Sequence, residues 1–160
     1  MSLRSLLRDI QKEQEERRAD QLAEEAEAAR VAAEKRDRWD ARGQKVIVPT
    51  LLDAVDALGE VGYQGTIESA GQGVFRLSIT SNTAGVASGS ITIQSLGNGE
   101  ALLFRRVTAT LVETSDPQRL DLDYITHDVI EAEIAQLVRD MGNRSTGALN
   151  TAISNLPGIE

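Results

Sequence analysis

The residue types best suited to catalysis in this sequence are the neighbours His127 and Asp128, because a His–Asp pair can act as a general base. His127 is the single histidine in the sequence, so a histidine-based metal cluster cannot form within one chain. A base of this kind also needs a nucleophile and an oxyanion site, and no motif supplies either. Asp128 is equally well explained by the first turn of a helix, where the helix dipole favours an acidic residue. We therefore expect no enzyme activity, and catalysis by His127 and Asp128 is the weaker hypothesis.

Several acidic residues stand close together in the sequence and could in principle bind a hard cation. The pairs are Asp53 with Asp56, Asp121 with Asp123, and Glu131 with Glu133. No Asp-x-Asp-x-Asp-Gly loop organises them, and solvated surfaces explain them better. The pieces Gly71–Gly73 and Gly97–Gly99 lack the strand–loop–helix context of a phosphate loop and are predicted turns. The sequence therefore predicts no cofactor and no metal ion.

Composition and charge argue against several functional classes. The 160 residues include no cysteine, which excludes disulfides and thiolate metal sites. The net charge is −8, and residues 44–160 hold seven Lys/Arg against fourteen Asp/Glu, so their surface repels the phosphate backbone of nucleic acids. No apolar run approaches the roughly 20 residues of a membrane span, and the charged N-terminal dozen does not resemble a secretory signal. We expect a soluble cytoplasmic protein that does not bind nucleic acid.

The sequence changes character at Gly43. Residues 1–42 contain no Pro or Gly and are rich in Ala, Glu, Arg, Gln and Lys, which predicts a long charged α-helical arm. At 1.5 Å per residue the arm would be roughly 60 Å long. Small and apolar residues recur in it with the spacing of a possible coiled coil: Ala19, Leu22, Ala26, Ala29 and Ala33. Alanine buries little apolar area, so the sequence leaves open whether the arm pairs, packs on its own domain or stays solvated.

The N-terminal end of the arm is a short basic amphipathic segment. Its apolar stripe is Leu3, Leu6, Leu7 and Ile10, flanked by Arg4, Arg8 and Lys12. The stripe could pack on its own domain or a sister chain, dock on a larger partner, or touch a membrane surface weakly. Asp9 and the small number of apolar residues disfavour residues 2–12 as a membrane anchor. We expect a homo-oligomer or a protein partner held through this N-terminal helix.

Residues 43–142 are predicted to form an α+β globular domain. Lys45–Val48 is a short apolar run and is predicted as an edge strand. A periodic helix is predicted at Pro49–Leu58. A second is predicted at Val129–Met141, with Thr126 as its N-cap and Gly142 as its end.

The strand-like segments between these helices predict an antiparallel meander sheet of four to five strands, with the helices packed on one face. Val74–Ser81 alternates apolar and polar residues and is predicted as a strand with one polar face, and Leu120–Tyr124 could form a short fifth strand.

The predicted hairpin turn Asn98-Gly99 sets the register of the two strands that it joins. A two-residue type I′ turn would place Ile93 opposite Phe104. Val107 and the apolar residues beyond it have the opposite parity to Phe104. We therefore predict a bulge or a strong twist near Arg105–Arg106.

Three arginines of the predicted sheet are candidate contact residues: Arg76, Arg105 and Arg106. If Arg76 and Arg105 share the outer face, they could receive an anion or an acidic partner helix. The alternative is that the arginine stems cover the sheet and pair with Glu68 or Glu113.

The two ends of the predicted domain carry further apolar residues. Trp39 lies just before the change at Gly43 and is predicted to pack the base of the arm on the domain. Residues 143–160 are predicted to form a flexible C-terminal tail, in which Leu149, Ile153 and Leu156 have a spacing that could dock on a partner.

These features together predict a non-enzymatic interaction or assembly protein. The helical arm would mediate self-association or partner docking, and the α+β domain would present a surface. The alternative is a small-ligand-binding module with a pocket between the sheet and the 126–141 helix.

Overall fold

The structure is a computed structural model that describes residues 2–69, 73–108 and 112–154, with residues 144–154 described by their backbone alone. The chain divides into two compact units, Met1–Asp37 and Arg38–Glu160. Helix α1, Leu3–Arg42, runs through the first unit and contributes its last turn to the second. Its richness in strong helix formers, without an internal Pro or Gly, accounts for its length. The predicted long helical arm is confirmed.

The chain does not leave the helical conformation at Gly43. Gly43–Ile47 form a π-helical turn, and helix α2 follows directly from Val48 to Glu60. The Val48 amide donates to the Gly43 carbonyl, which is the i→i+5 hydrogen bond of a π-helix. The edge strand predicted at Lys45–Val48 is therefore wrong. Ile47 lies on the helical turn and is fully buried, and a run of only three apolar residues cannot distinguish a helix from a strand.

In the described ranges, six antiparallel strands form one sheet. They are β1 Tyr63–Glu68, β2 Val74–Ser81, β3 Ser88–Ser95, β4 Glu100–Thr108, β5 Val112–Thr114 and β6 Gln118–Asp121. Strands β1 to β4 follow one another as a meander, and β5 and β6 both pair with β4. Leu122–Tyr124, part of the predicted fifth strand, is a 3₁₀ turn. The predicted α+β fold with an antiparallel meander is confirmed, and the part of the chain that the structure describes contributes six strands to the sheet.

The connection between β3 and β4 differs from the predicted two-residue turn. Gly97-Asn98-Gly99 is a three-residue loop, closed by a hydrogen bond from the Leu96 amide to the Glu100 carbonyl (2.9 Å). Both loop glycines have positive φ, 78° and 85°, which other residues rarely adopt. The additional loop residue shifts the register by one, so that Leu103 lies opposite Ile93.

This register removes the parity conflict in β4. The β4 residues that point to the helix-covered face are Ala101, Leu103, Arg105 and Val107. The β3–β4 pairing is continuous from Ser88 to Ser95, so the irregularity predicted near Arg105–Arg106 does not interrupt this pairing. The interruption lies instead on the neighbouring side of β4, at residues 115–117 between β5 and β6. There the Ser115 amide donates to the Arg105 carbonyl (2.8 Å).

The hydrophobic core lies between one face of the sheet and the helices. Helix α2, the π-turn and helix α3, His127–Ser154, pack on that same face. Fully buried side chains fill the space, among them Ile47, Leu51, Ile91, Leu103, Ile130 and Leu137. Gly89 permits the close approach of α3, since a Cβ atom there would lie 2.8 Å from Leu137 Cδ1. The predicted packing of helices on one face is confirmed.

Helix α3 begins where the sequence predicts and ends later. The Val129 amide donates to Thr126 Oγ1 (3.3 Å), which confirms the predicted N-cap. The helix continues through Gly142 to Ser154, so the predicted end at Gly142 is wrong. One glycine costs a helix about 1 kcal/mol relative to alanine, which neighbouring turns can offset. Of the predicted tail, residues 155–160 and the side chains of residues 144–154 lie outside what the structure describes.

Candidate interaction surfaces

The first compact unit is a helix with an exposed apolar stripe. Leu3, Leu6, Leu7 and Ile10 are 71%, 43%, 55% and 49% exposed, and Leu22 is 60% exposed. The small seam residues Ala26, Ala29 and Ala33 are also exposed. Fully burying one exposed Leu or Ile side chain in a contact would stabilise that contact by about 1.5–3 kcal/mol. The N-terminal stripe is therefore the part of this helix where burial against another surface would be most favourable.

Charged residues on the arm pair along the helix. Arg30 bonds to Glu27 (2.5 Å) and to Glu34 (2.6 Å), one turn away on either side. The pKa of Glu27 is lowered because its carboxylate accepts hydrogen bonds from Arg30. The pKa of Arg30 is raised, first by its hydrogen bond with Glu27 and then by the charge of Glu34. All three side chains are exposed, so these pairs support the helix locally and only weakly.

The outer face of the sheet, opposite the helices, is polar. Two rows cross β2, β3 and β4 on this face: Arg76–Thr92–Phe104 and Ser78–Ser90–Arg106. These residues line a shallow cavity of about 270 Å³. Thr92 is buried among them, and its Oγ1 accepts a hydrogen bond from Arg76 Nε (3.4 Å).

Arg76 and Arg106, and not Arg76 and Arg105, share this outer face. Glu68 lies opposite Arg76 in the β1–β2 register, yet neither Arg76 nor Arg106 forms an ion pair with a carboxylate of the described residues. One strand separates the two arginines, and they are offset by two residues. Strand geometry therefore places their Cα atoms about 12 Å apart.

Arg105 lies on the helix-covered face and contacts α3. Its Nη1 donates to Glu133 Oε2, and its Nε lies 3.6 Å from Asp140 Oδ2. The condition that Arg76 and Arg105 share the outer face is therefore not met, because the shifted register turns Arg105 under the helix. The carboxylates that Arg105 contacts are on α3 and are not those of Glu68 or Glu113. Arg105 Nε is buried and makes no hydrogen bond within the described residues.

A second cavity opens beside Arg105, between the sheet and the end of the described α3 side chains. Its volume is about 580 Å³. The lining residues are Arg105, Val107, Glu113, Thr114, Ser115, Asp140 and Asn143. The space further inside, between the sheet and the middle of α3, is filled by core side chains such as Leu137, which packs over Gly89. The cavity is therefore a feature of the edge of this interface.

The last turn of α1 is part of the second compact unit. Trp39 is 6% exposed, and its ring packs on Phe75 with the centroids 5.6 Å apart, so it makes its contacts within its own chain. Arg42 donates from Nε to the Ile125 carbonyl (2.9 Å) and from Nη2 to the Asp123 carbonyl (3.1 Å). The sequence indicated Trp39 but not Arg42, because backbone acceptors distant along the chain leave no local signal.

His127 is exposed and makes a hydrogen bond that connects two elements of the fold. Its Nδ1 hydrogen-bonds to Thr50 Oγ1. The Thr50 hydroxyl donates its proton to the Val46 carbonyl (2.6 Å), so the proton between Nδ1 and Thr50 belongs to the histidine. This chain of bonds links the start of α3 to the π-turn. Neither cavity described above is lined by His127 or Asp128.

Two further types of site are absent from the described residues. No group of three or more His, Asp and Glu side chains there is arranged to hold a metal ion. None of the described helices combines the length and apolar character needed to cross a membrane. The acidic pair Asp53 and Asp56 lies exposed on α2.

Comparisons with protein-family models, with curated proteins and with solved structures found no match to this chain. Function is therefore inferred from the surfaces and contacts described above.

Proposed function

We propose that this protein is a non-enzymatic interaction and assembly protein. Its helical arm associates with a second copy or docks on a protein partner, and its α+β domain presents a surface to other molecules. The supporting observation is the exposed apolar stripe of residues 3–10. Contiguous exposed apolar residues of this kind mark contact surfaces in proteins.

The charges of the arm suit contact with another protein. Residues 2–12 carry three basic side chains against Asp9, so the apolar stripe fits a partner surface that is apolar at its centre and acidic at its rim. The rest of the arm mixes both signs, which permits pairing between copies without net repulsion. The seam of Ala26, Ala29 and Ala33 allows two helices to approach closely, although it contributes little apolar area.

Sedimentation equilibrium of the full-length chain tests this proposal. At moderate salt and low protein concentration, we expect the natural chain to form oligomers and a Leu6→Ser/Leu7→Ser variant to be monomeric, because the two substitutions remove the centre of the stripe. Substitution is preferable to deletion of the arm, since Trp39 belongs to the core and a chain beginning after it would lose stability.

The matched control is Tyr124→Ser, which removes an exposed large side chain (70%) from the second unit. We expect its oligomeric mass to equal that of the natural chain. Far-ultraviolet circular dichroism checks that both variants stay folded. A natural chain that remains monomeric at every concentration would contradict self-association, and equal masses for the natural chain and the Leu6/Leu7 variant would contradict a role for the stripe.

The cavity beside Arg105 supports a second candidate function, the binding of a small polar ligand. Its volume of about 580 Å³ lies within the roughly 300–1,000 Å³ that is usual for ligand sites. Asn143→Trp would fill the cavity from an exposed position on α3, and Thr66→Trp is a control at an exposed position on β1. A thermal shift produced by an amino acid or a polyamine in the natural chain and in Thr66→Trp, but not in Asn143→Trp, would support this function. No shift with any such compound would contradict it.

A further inference from the structure

The shallow cavity on the outer face of the sheet is positively charged, because its lining residues include two arginines and no acidic residue. Arg76 and Arg106 line the same shallow cavity, and neither has a carboxylate partner among the described residues. Residues 44–160 contain twice as many acidic as basic residues, fourteen against seven. Two unpaired guanidinium groups on one side of such a domain favour an acidic occupant.

The shape of this cavity favours a macromolecular partner. The cavity holds about 270 Å³, which is below the roughly 300–1,000 Å³ of small-molecule sites. Its floor consists of the small side chains of Ser78, Ser90 and Thr92, with Phe104 beside them. A flat floor of small residues allows a bulky element to approach closely.

The partner element must satisfy its own backbone hydrogen bonds. Strands β2, β3 and β4 each have neighbours on both sides in the sheet, so a further strand cannot pair with them. A helix bonds its backbone groups internally and needs only side-chain contacts. The occupant that fits is therefore an acidic helix.

Helix α2 of this chain has the complementary charge on its exposed side. Its acidic stripe is Asp53, Asp56 and Glu60, at positions i, i+3 and i+7. These residues are exposed and make no ion pair with a described residue, and α2 contains no basic residue. Leu52, which is 54% exposed, adds an apolar contact beside the stripe. Among the helices with described side chains, α1 mixes charges of both signs, and α3 uses Glu133 and Asp140 to hold Arg105.

The two surfaces also match in spacing. Asp53 and Glu60 are separated by two helical turns, about 10.5 Å along the axis. The Cα atoms of Arg76 and Arg106 are about 12 Å apart, a difference that the flexible arginine stems can span. We propose, building on the assembly function above, that the outer sheet face of one copy binds helix α2 of a second copy.

This contact joins copies head to tail. Helix α2 packs on the inner face of the sheet, so its acidic stripe and the outer face lie on opposite sides of the domain. A contact between two different surfaces repeats in one direction and forms rings or filaments, whereas a twofold dimer requires self-complementary surfaces. Exposed ion pairs are individually weak and are screened by salt, so the contact is expected to be salt-sensitive and to be strengthened by simultaneous association through the arm.

Charge reversal in the full-length chain tests the proposal. One variant is Arg76→Glu/Arg106→Glu, and the other is Asp53→Arg/Glu60→Arg. The matched control for the first is Lys45→Glu/Arg139→Glu, which makes the same change in net charge at two exposed positions outside both surfaces. Sedimentation velocity at low salt, over a range of concentrations, measures assembly, and circular dichroism confirms folding.

We expect the natural chain and the control to form large, salt-sensitive assemblies. Each reversed variant should need at least tenfold higher concentration to do so. An equimolar mixture of the two reversed variants should regain assembly, because each sheet face then meets a helix of opposite charge. Unchanged assembly by Arg76→Glu/Arg106→Glu would overturn the proposal, and so would a mixture that fails to assemble.

The arm variant separates this proposal from the proposed function. Leu6→Ser/Leu7→Ser leaves both charged surfaces intact, so it should still assemble in a salt-sensitive way at high concentration. If it does so with the mass distribution of the natural chain, the arm proposal fails and the sheet–helix contact stands. If arm-dependent oligomers form but charge reversal has no effect, the sheet–helix contact fails alone.

Discussion

Arg105 of β4 donates a hydrogen bond to Glu133 of α3, and the two side chains are only 18% and 15% exposed. The pair exists because the three-residue loop before β4 places odd-numbered residues of the strand under the helix. Asp140, two turns further along α3, adds a second carboxylate near the guanidinium. A charge at the centre of a sheet face is therefore neutralised by the helix that covers it, beside the larger cavity.

Arg105→Ala should destabilise the protein by roughly 2–3 kcal/mol, because it leaves the largely buried Glu133 without its partner. Urea denaturation gives the free energy of unfolding. Arg106→Ala, one residue along on the outer face, is the control and should change this free energy by about 0.5 kcal/mol or less. Equal effects of the two substitutions would show that the Arg105–Glu133 pair does not hold the helix on the sheet.

Trp39→Ala should lower the free energy of unfolding by about 3–5 kcal/mol, because it removes a buried indole that packs on Phe75. Chemical denaturation followed by circular dichroism measures the loss. Tyr124→Ala, at an aromatic side chain that is 70% exposed, is expected to have little effect. A Trp39 variant with the stability of the natural chain would mean that the last turn of α1 is not part of the core.

Gly89→Ala should be destabilising by about 1–3 kcal/mol, because its Cβ would lie 2.8 Å from Leu137 Cδ1 and 3.2 Å from the Arg106 carbonyl oxygen. Gly59→Ala is the paired control on α2, where a Cβ meets nothing within 4 Å. There alanine should stabilise the helix by roughly 0.5–1 kcal/mol. Thermal or urea unfolding of the two variants should therefore move in opposite directions, and a shift of both in the same direction would contradict this packing.

Glu27 should titrate below its ordinary pKa of 4.5, because Arg30 bonds to its carboxylate. A carboxyl group with a lowered folded-state pKa stabilises the helix above the pKa of the unfolded chain. That contribution is lost as the pH falls through the folded-state pKa. Arm helicity should therefore decrease slightly in acid. Nuclear magnetic resonance titration should return the pKa of Glu27 toward 4.5 in Arg30→Gln and leave it unchanged in Arg36→Gln; a Glu27 pKa insensitive to Arg30→Gln would exclude this pair in solution.

Local signals were sufficient for much of the secondary structure. The arm lacks Pro and Gly over forty residues of strong helix formers, so no alternative conformation competes with the helix. Thr126 predicted the start of α3 because its hydroxyl caps an amide three residues away. The alternation in β2 predicted a strand with one polar face, and that face is the outer one, which none of the described helices covers.

The candidate contact residues were found in sequence, but their grouping was not. Leu3, Leu6, Leu7 and Ile10 form one stripe because helical geometry alone brings them together. Arg76, Arg105 and Arg106 lie on neighbouring strands, and their faces depend on how those strands are paired. A register shift of one residue moves a side chain to the opposite face of the sheet.

The sequence by itself determined the long helix, the alternating strands and the α+β class, since each depends on residues within a few positions of one another. Only the tertiary structure decided that the chain stays helical through Gly43, that α3 continues beyond Gly142, and that Arg105 faces inward. Two of these outcomes depend on long-range contacts: Ile47 is fully buried in the core, and Arg105 finds its carboxylate 28 residues further along the chain. Local propensity is a small energy per residue, and burial of an apolar side chain such as Ile47 outweighs it.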